Sequence, residues 1–158
     1  MKHIISAIVE NQPGVLARIV GLISGRGYNI ESLNVAPTQD ETTSRMTVTV
    51  LGDDHVLEQV TKQLNKLVNV IKVSDLTHKK FLHRELILVE VGATPQKRPE
   101  IVELAGVLDA KVVSVQANSL TLQMVSEKDR IEDLLKILKP FRILDISRSG
   151  VIAVARSE

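Results

Sequence analysis

The stretch His3-Ile4-Ile5-Ser6-Ala7-Ile8-Val9-Glu10-Asn11-Gln12-Pro13-Gly14-Val15-Leu16-Ala17-Arg18-Ile19-Val20 decides the fold of this chain. Its first seven residues form a short run rich in β-branched side chains, which favours a strand, and Asn11-Gln12-Pro13-Gly14 breaks that run with turn residues and a proline suited to a helix start. Beyond the turn, Val15, Leu16, Ile19, Val20, Leu22 and Ile23 recur at helical spacing as one apolar stripe, and Gly25 and Gly27 supply the stop. Working outward, Asn29 to Ala36 reads as a second extended run. Met46, Val48 and Val50 then alternate with Thr47 and Thr49, the pattern of a half-buried antiparallel strand. Gly52-Asp53-Asp54 gives a turn and an N-cap for a second helix carrying Val56, Leu57, Val60, Leu64 and Leu67, which leads to a strand from Val70 to Asp75. The order is βαββαβ.

The remainder repeats it. Arg84 to Val91 is a strand, a helix opens near Pro99 with Ile101, Val102, Leu104, Ala105 and Leu108, and Val112 to Gln116 is extended again. Asn118-Ser119 makes a hairpin turn into Leu120, Leu122 and Met124, which alternate with Thr121 and Gln123. Ser126-Glu127-Lys128-Asp129 resembles a capping box, opening a helix with Ile131, Leu134, Leu135 and Leu138 that Pro140 closes. A strand from Arg142 to Ser147 and an edge run from Val151 to Ala155 end the chain. The expected class is therefore α+β, with two ferredoxin-like units: residues 1–76, a linker at 77–83, and a diverged second unit at 84–158. Units this small bury only about 60% of their unfolded surface, so pairing with a second copy is expected.

Composition narrows the function. Among 158 residues, 44% are hydrophobic but only 2% aromatic, so the core must be aliphatic and no supply of rings exists for stacking on bases. Twenty Lys and Arg face nineteen Asp and Glu, a net charge of +1 that names neither nucleic acid nor an anionic membrane as a partner. With no cysteine there is no thiol nucleophile, disulfide or thiolate metal site, which suits a cytoplasmic protein. No apolar run approaches the roughly 20 residues a bilayer requires, and Glu10, Asn11 and Gln12 interrupt the N-terminal run before it could serve as an export signal.

Few residues offer chemistry. His3, His55, His78 and His83 lack metal-ligand spacing, and the pair His55 and Glu58 has no further ligand nearby, so no metal site is expected. No catalytic residues are expected either, because no nucleophile elbow, phosphate loop or dinucleotide fingerprint occurs. An acylphosphatase-like activity would need an anion-holding arginine in the first turn, and Arg18 lies a full turn inside the helix instead. The informative feature is the turn from Asn11 to Leu16. Proline there donates no N–H, glycine lets a ligand approach the backbone, and the amides of the first helical turn point outward at the positive end of the helix dipole. That is a seat for a small anion such as a carboxylate, or else a plain helix cap.

The blocks Glu10-Asn11-Gln12-Pro13-Gly14-Val15-Leu16-Ala17-Arg18, Arg26-Gly27-Tyr28-Asn29-Ile30-Glu31-Ser32-Leu33 and Val35-Ala36-Pro37-Thr38 closely resemble the regulatory, or small, subunit of acetohydroxyacid synthase (acetolactate synthase), an ACT-domain family. Ser44-Arg45-Met46-Thr47, Gln63-Leu64-Asn65-Lys66-Leu67, Arg84-Glu85-Leu86 and Ser149-Gly150-Val151 extend the likeness. The resemblance implies an N-terminal ACT domain followed by an ACT-like domain, in a non-catalytic subunit that activates a large catalytic subunit in branched-chain amino-acid biosynthesis. It further implies feedback inhibition by valine or another branched-chain amino acid. Thiamine diphosphate, FAD and magnesium would belong to the large subunit, with no cofactor on this chain. It also implies a homodimer whose ligand touches Asn11, Gly14, Val15 and Leu16 of one copy and Asn29 and Ile30 of the other. A free-standing ACT-type sensor or repressor is the alternative, but the Thr47, Thr49, Thr121 and Gln123 faces lack the basic or aromatic exposure that nucleic acid requires.

Overall fold

β1 (Lys2–Glu10) buries Ile5, Ala7 and Val9 on one side, as an alternating strand should, and pairs antiparallel with β3 (Thr43–Leu51) and β4 (Val70–Asp75). Adding β2 (Asn29–Pro37) gives a four-stranded sheet of order β2-β3-β1-β4. Helices α1 (Val15–Gly25) and α2 (Asp54–Asn65) pack on the side of Met46, Val48 and Val50. Ile19, Ile23, Val60 and Leu64 are fully enclosed there, each worth about 1.5–3 kcal/mol of transfer free energy before entropy is subtracted. In this computed structural model residues 2–157 are described. The chain divides into two compact units, the first comprising residues 2–82 with 151–157 and the second residues 83–150.

The second unit repeats the arrangement. β5 (Phe81–Gly92), β6 (Lys111–Val115), β7 (Ser119–Ser126) and β8 (Ile143–Arg148) form an antiparallel sheet of order β6-β7-β5-β8, and α3 (Arg98–Val107) and α4 (Lys128–Leu138) enclose Ile87, Val89, Leu122, Ile131 and Leu134 against it. The fold is α+β, with two βαββαβ units and no Phe, Tyr or Trp side chain among the fully buried described residues.

Three local details depart from the sequence pattern. Glu127 rather than Ser126 caps α4, and no side-chain hydrogen bond forms there, so the capping-box reading is corrected. Pro13 stands before the cap of α1 rather than in its first turn, because Gly14 is the cap and Val15 the first helical residue. The last run becomes β9 (Ile152–Ala155), which groups with the first unit rather than the second. Asn34 Nδ2 donates to the Val151 carbonyl at 3.2 Å, and the Leu76 amide donates to Ile4 at 2.9 Å. Buried Leu76, Val151 and Ala153 accompany buried Ser6, Thr47 and Thr49 in this unit, so threonines expected to face outward are shielded.

Candidate functional site

Gly14 opens α1 in a left-handed conformation, φ +85°, a region that glycine enters freely and a side chain enters at a cost. Nothing lies within 4 Å of where its Cβ would be, so the constraint is on the backbone and the space beside it is open. No side chain caps the helix, and its first turn has no acidic residue. The Val15 amide reaches back to the Gln12 carbonyl at 3.3 Å and the Arg18 amide to Gly14 at 3.1 Å. The Leu16 and Ala17 amides between them are the second and third of the helix, which have no intrahelical acceptor by geometry. An anion here meets two outward donors and a dipole's positive end.

The turn is braced. The Asn11 amide donates to the Thr42 carbonyl at 2.8 Å and its Nδ2 to the Glu41 carbonyl at 2.9 Å, so Asn11 binds the β2–β3 loop rather than its own turn. That loop is itself held: Asp40 Oδ1 accepts from the Thr42 amide and hydroxyl, and the Thr42 hydroxyl foremost keeps the Asp40 carboxyl below its ordinary value. Beside the turn lies a hollow of about 50 Å³ whose apolar wall includes Val9, Val15, Leu16, Ile19, Val35 and Met46, with Asn11 and Gln12 at its polar side. It has room for a few methyl groups beside an anion seat.

Asn29 and Ile30 do not line that hollow. Asn29 is exposed at the start of β2 opposite Leu51, and Ile30, partly buried, pairs with Val50. Eleven helical residues, about 16 Å, separate the two ends of α1, so within one chain the Asn11–Leu16 turn and Asn29 stay apart. Val9, Ile19, Val35 and Met46 line the hollow without any sequence signal that assigns them to a site. Strand and helix periodicity marked Val9, Ile19 and Met46 as core, but nothing in the pattern says which core residues border an opening. Among the described residues no three His, Asp or Glu side chains stand close enough to share a metal ion, and no helix is long and apolar enough to cross a membrane.

The first unit's topology is ferredoxin-like, and what makes it an ACT domain is that residues 5–72 match the model of the AHAS small subunit-like ACT domain. Residues 84–157 match the model described as the small subunit of acetolactate synthase. The chain is 44% identical over 159 residues to the acetolactate synthase small subunit of Haemophilus influenzae, covering 100% of this chain and 98% of that one. It is 45% identical over 154 residues to the Mycolicibacterium smegmatis small subunit, covering 98% of this chain and 91% of the relative. The crystal structure of the small subunit from Thermotoga maritima superposes with a TM-score of 0.90 at 29% identity, covering 100% of this chain and 99% of that one. The chain belongs to the acetolactate synthase small-subunit family, whose members are regulatory and non-catalytic.

Proposed function

We propose that this chain docks on the catalytic large subunit of acetolactate synthase in the cytoplasm, raises its activity, and confers inhibition by a branched-chain amino acid, valine foremost. The observation that carries the ligand is the aliphatic hollow beside the uncapped start of α1. The amino acid's carboxylate would take the Leu16 and Ala17 amides, its branched side chain would enter between Leu16 and Val35, and Asn11 would border it at the polar side of the hollow. Asn29 and Ile30 complete the site from a second copy, because within one chain they lie at the other end of α1, and a homodimer follows from that need. Thiamine diphosphate, FAD and magnesium are assigned to the large subunit, and residues 1–76 are assigned to ligand binding and dimerisation.

The test is acetolactate formation by the large subunit, measured alone, with this chain, and with this chain across a valine series. Activation followed by inhibition supports the proposal. Activation that valine, leucine and isoleucine all leave unaltered removes the ligand from it.

A further inference from the structure

Asn69, in the loop between α2 and β4, is bonded to both shoulders of the candidate turn. Its backbone carbonyl accepts from the Glu10 amide at 2.9 Å, its Nδ2 donates to Glu10 Oε2 at 2.9 Å, and its Oδ1 accepts from Arg18 Nη1 at 2.6 Å. Glu10 immediately precedes Asn11, and Arg18 lies one helical turn beyond Gly14. One side chain therefore ties the end of β1 to a point one turn inside α1, across the segment Asn11–Leu16. An ionised carboxylate only accepts and a guanidinium only donates, so the bridging group must present a donor to Glu10 and an acceptor to Arg18. A carboxamide does both. Each of the two bonds has one ionised partner, which makes them the stronger kind.

We infer that the Arg18–Asn69–Glu10 relay positions the anion-seating turn, making Asn69 a positioning residue for the bound amino acid although it does not line the hollow. The inference rests on the valine reading of that turn. Without the relay the turn keeps the Asn11 bonds to the β2–β3 loop, the Glu10 amide's bond to the Asn69 carbonyl and buried Val15, but it loses the side-chain tie from β1 to α1, and the Leu16 and Ala17 amides are aimed less tightly. Pre-set donors bind an anion better than donors that must first be ordered.

Asn69→Asp tests the relay. It keeps size and the acceptor for Arg18 but replaces the donor to Glu10 by a second carboxylate. Calorimetric titration of valine into the full chain should show affinity falling by about tenfold or more. Adding Glu10→Gln restores the match in reversed order: the new carboxamide on β1 donates to the new carboxylate in the α2–β4 loop, and Arg18 donates to that carboxylate as well. This double variant should bring affinity back to within about threefold of wild type. Urea unfolding of the same variants separates the roles: a merely structural loss lowers stability and affinity together, whereas a positioning loss lowers affinity in a chain that is still fully folded under the titration conditions. Unchanged affinity in Asn69→Asp, or a double variant as weak as the single, overturns the relay. If the single variant does not fold, a double variant that binds like wild type carries the inference and one that does not overturns it. Absence of valine binding by wild type would instead remove the reading on which the relay depends.

Discussion

Helix α1 starts on a bare left-handed glycine, whereas α3, its counterpart in the second unit, starts on a lysine, an arginine and a proline. Both follow the first strand of a βαββαβ unit, and both turns are tied to the neighbouring hairpin. In the first unit Asn11 provides the tie, to Glu41 and Thr42. In the second the Ala93 amide donates to Asn118, and Arg98 Nη2 reaches the Gln116 and Ala117 carbonyls at 2.9 and 3.0 Å. The donors end up differently. The Lys97 and Arg98 amides both turn back to Thr94, the Ile101 amide goes to Lys97, Pro99 has none, and Glu100 already brings a negative charge to the first turn. The backbone bonds of the two starts are alike, and the difference is that Pro99 removes one of the two donors that α1 leaves open while the Glu100 carboxylate repels an anion from the other. A shared fold thus says little about shared function, because the difference lies in about five residues at one helix start.

The strongest way to break the comparison is to close the seat in the first unit. Gly14→Asp puts a carboxylate among the amides that a ligand needs, and inhibition by valine should be lost over any practical concentration range. Because φ is +85° there, a side chain also strains the backbone, so Gly14→Asn is the control. It has the same shape without the charge, and asparagine tolerates this region best among side chains. Inhibition assays should show Asn retaining sensitivity at least about tenfold better than Asp. Equal curves would mean that strain, not charge, governs the turn.

Damage to the second unit should act on stability instead. Glu85 is buried, and its carboxylate takes the Arg148 guanidinium, which also reaches Glu132 at 2.9 Å. The Glu85 bond is the main reason the arginine holds its proton more tightly than usual. Glu85→Ala should cost about 2 kcal/mol in urea unfolding, less than for a fully buried pair because the Arg148 side chain is 31% exposed. Valine affinity should not follow. A parallel loss of affinity would join the two units functionally.

Asn29→Ala sharpens the two-copy reading of the first unit. It removes an amide offered to the ligand from the second chain and should weaken inhibition by about 1–3 kcal/mol while activation of the large subunit persists. The smallest effect concerns α2. Asp53 accepts from the Val56 amide at 3.0 Å, and that bond foremost holds its carboxyl below the ordinary value. A lowered folded-state pKa contributes stability above the unfolded value of 3.8 and loses it as pH falls through the lower folded one. Asp53→Ala should therefore unfold at lower urea than wild type at pH 7, and the gap should close in acid. The valine response should be untouched at either pH.

Element order was legible because the apolar spacing changes period cleanly, from alternation in Met46, Val48 and Val50 to helical recurrence in Val56, Leu57, Val60 and Leu64. Position in space was less so. Val151 to Ala155 reads as a strand, yet nothing local says that it groups with the first unit, since that grouping depends on residues far along the chain. The turn from Asn11 to Leu16 announced itself through Pro13 and Gly14, but the left-handed glycine, the partners of Asn11 and the role of Asn69 depend on loops far along the chain. A hydrogen bond between residues 10 and 69 leaves no periodic trace.

Calorimetric stoichiometry of valine with the full chain bears most directly on the contrast between the two helix starts. One valine per chain is expected, abolished in Gly14→Asp and retained at wild-type affinity in Arg98→Ala. Two valines per chain, or binding that survives Gly14→Asp and vanishes in Arg98→Ala, would place the ligand in the wrong unit and contradict the account.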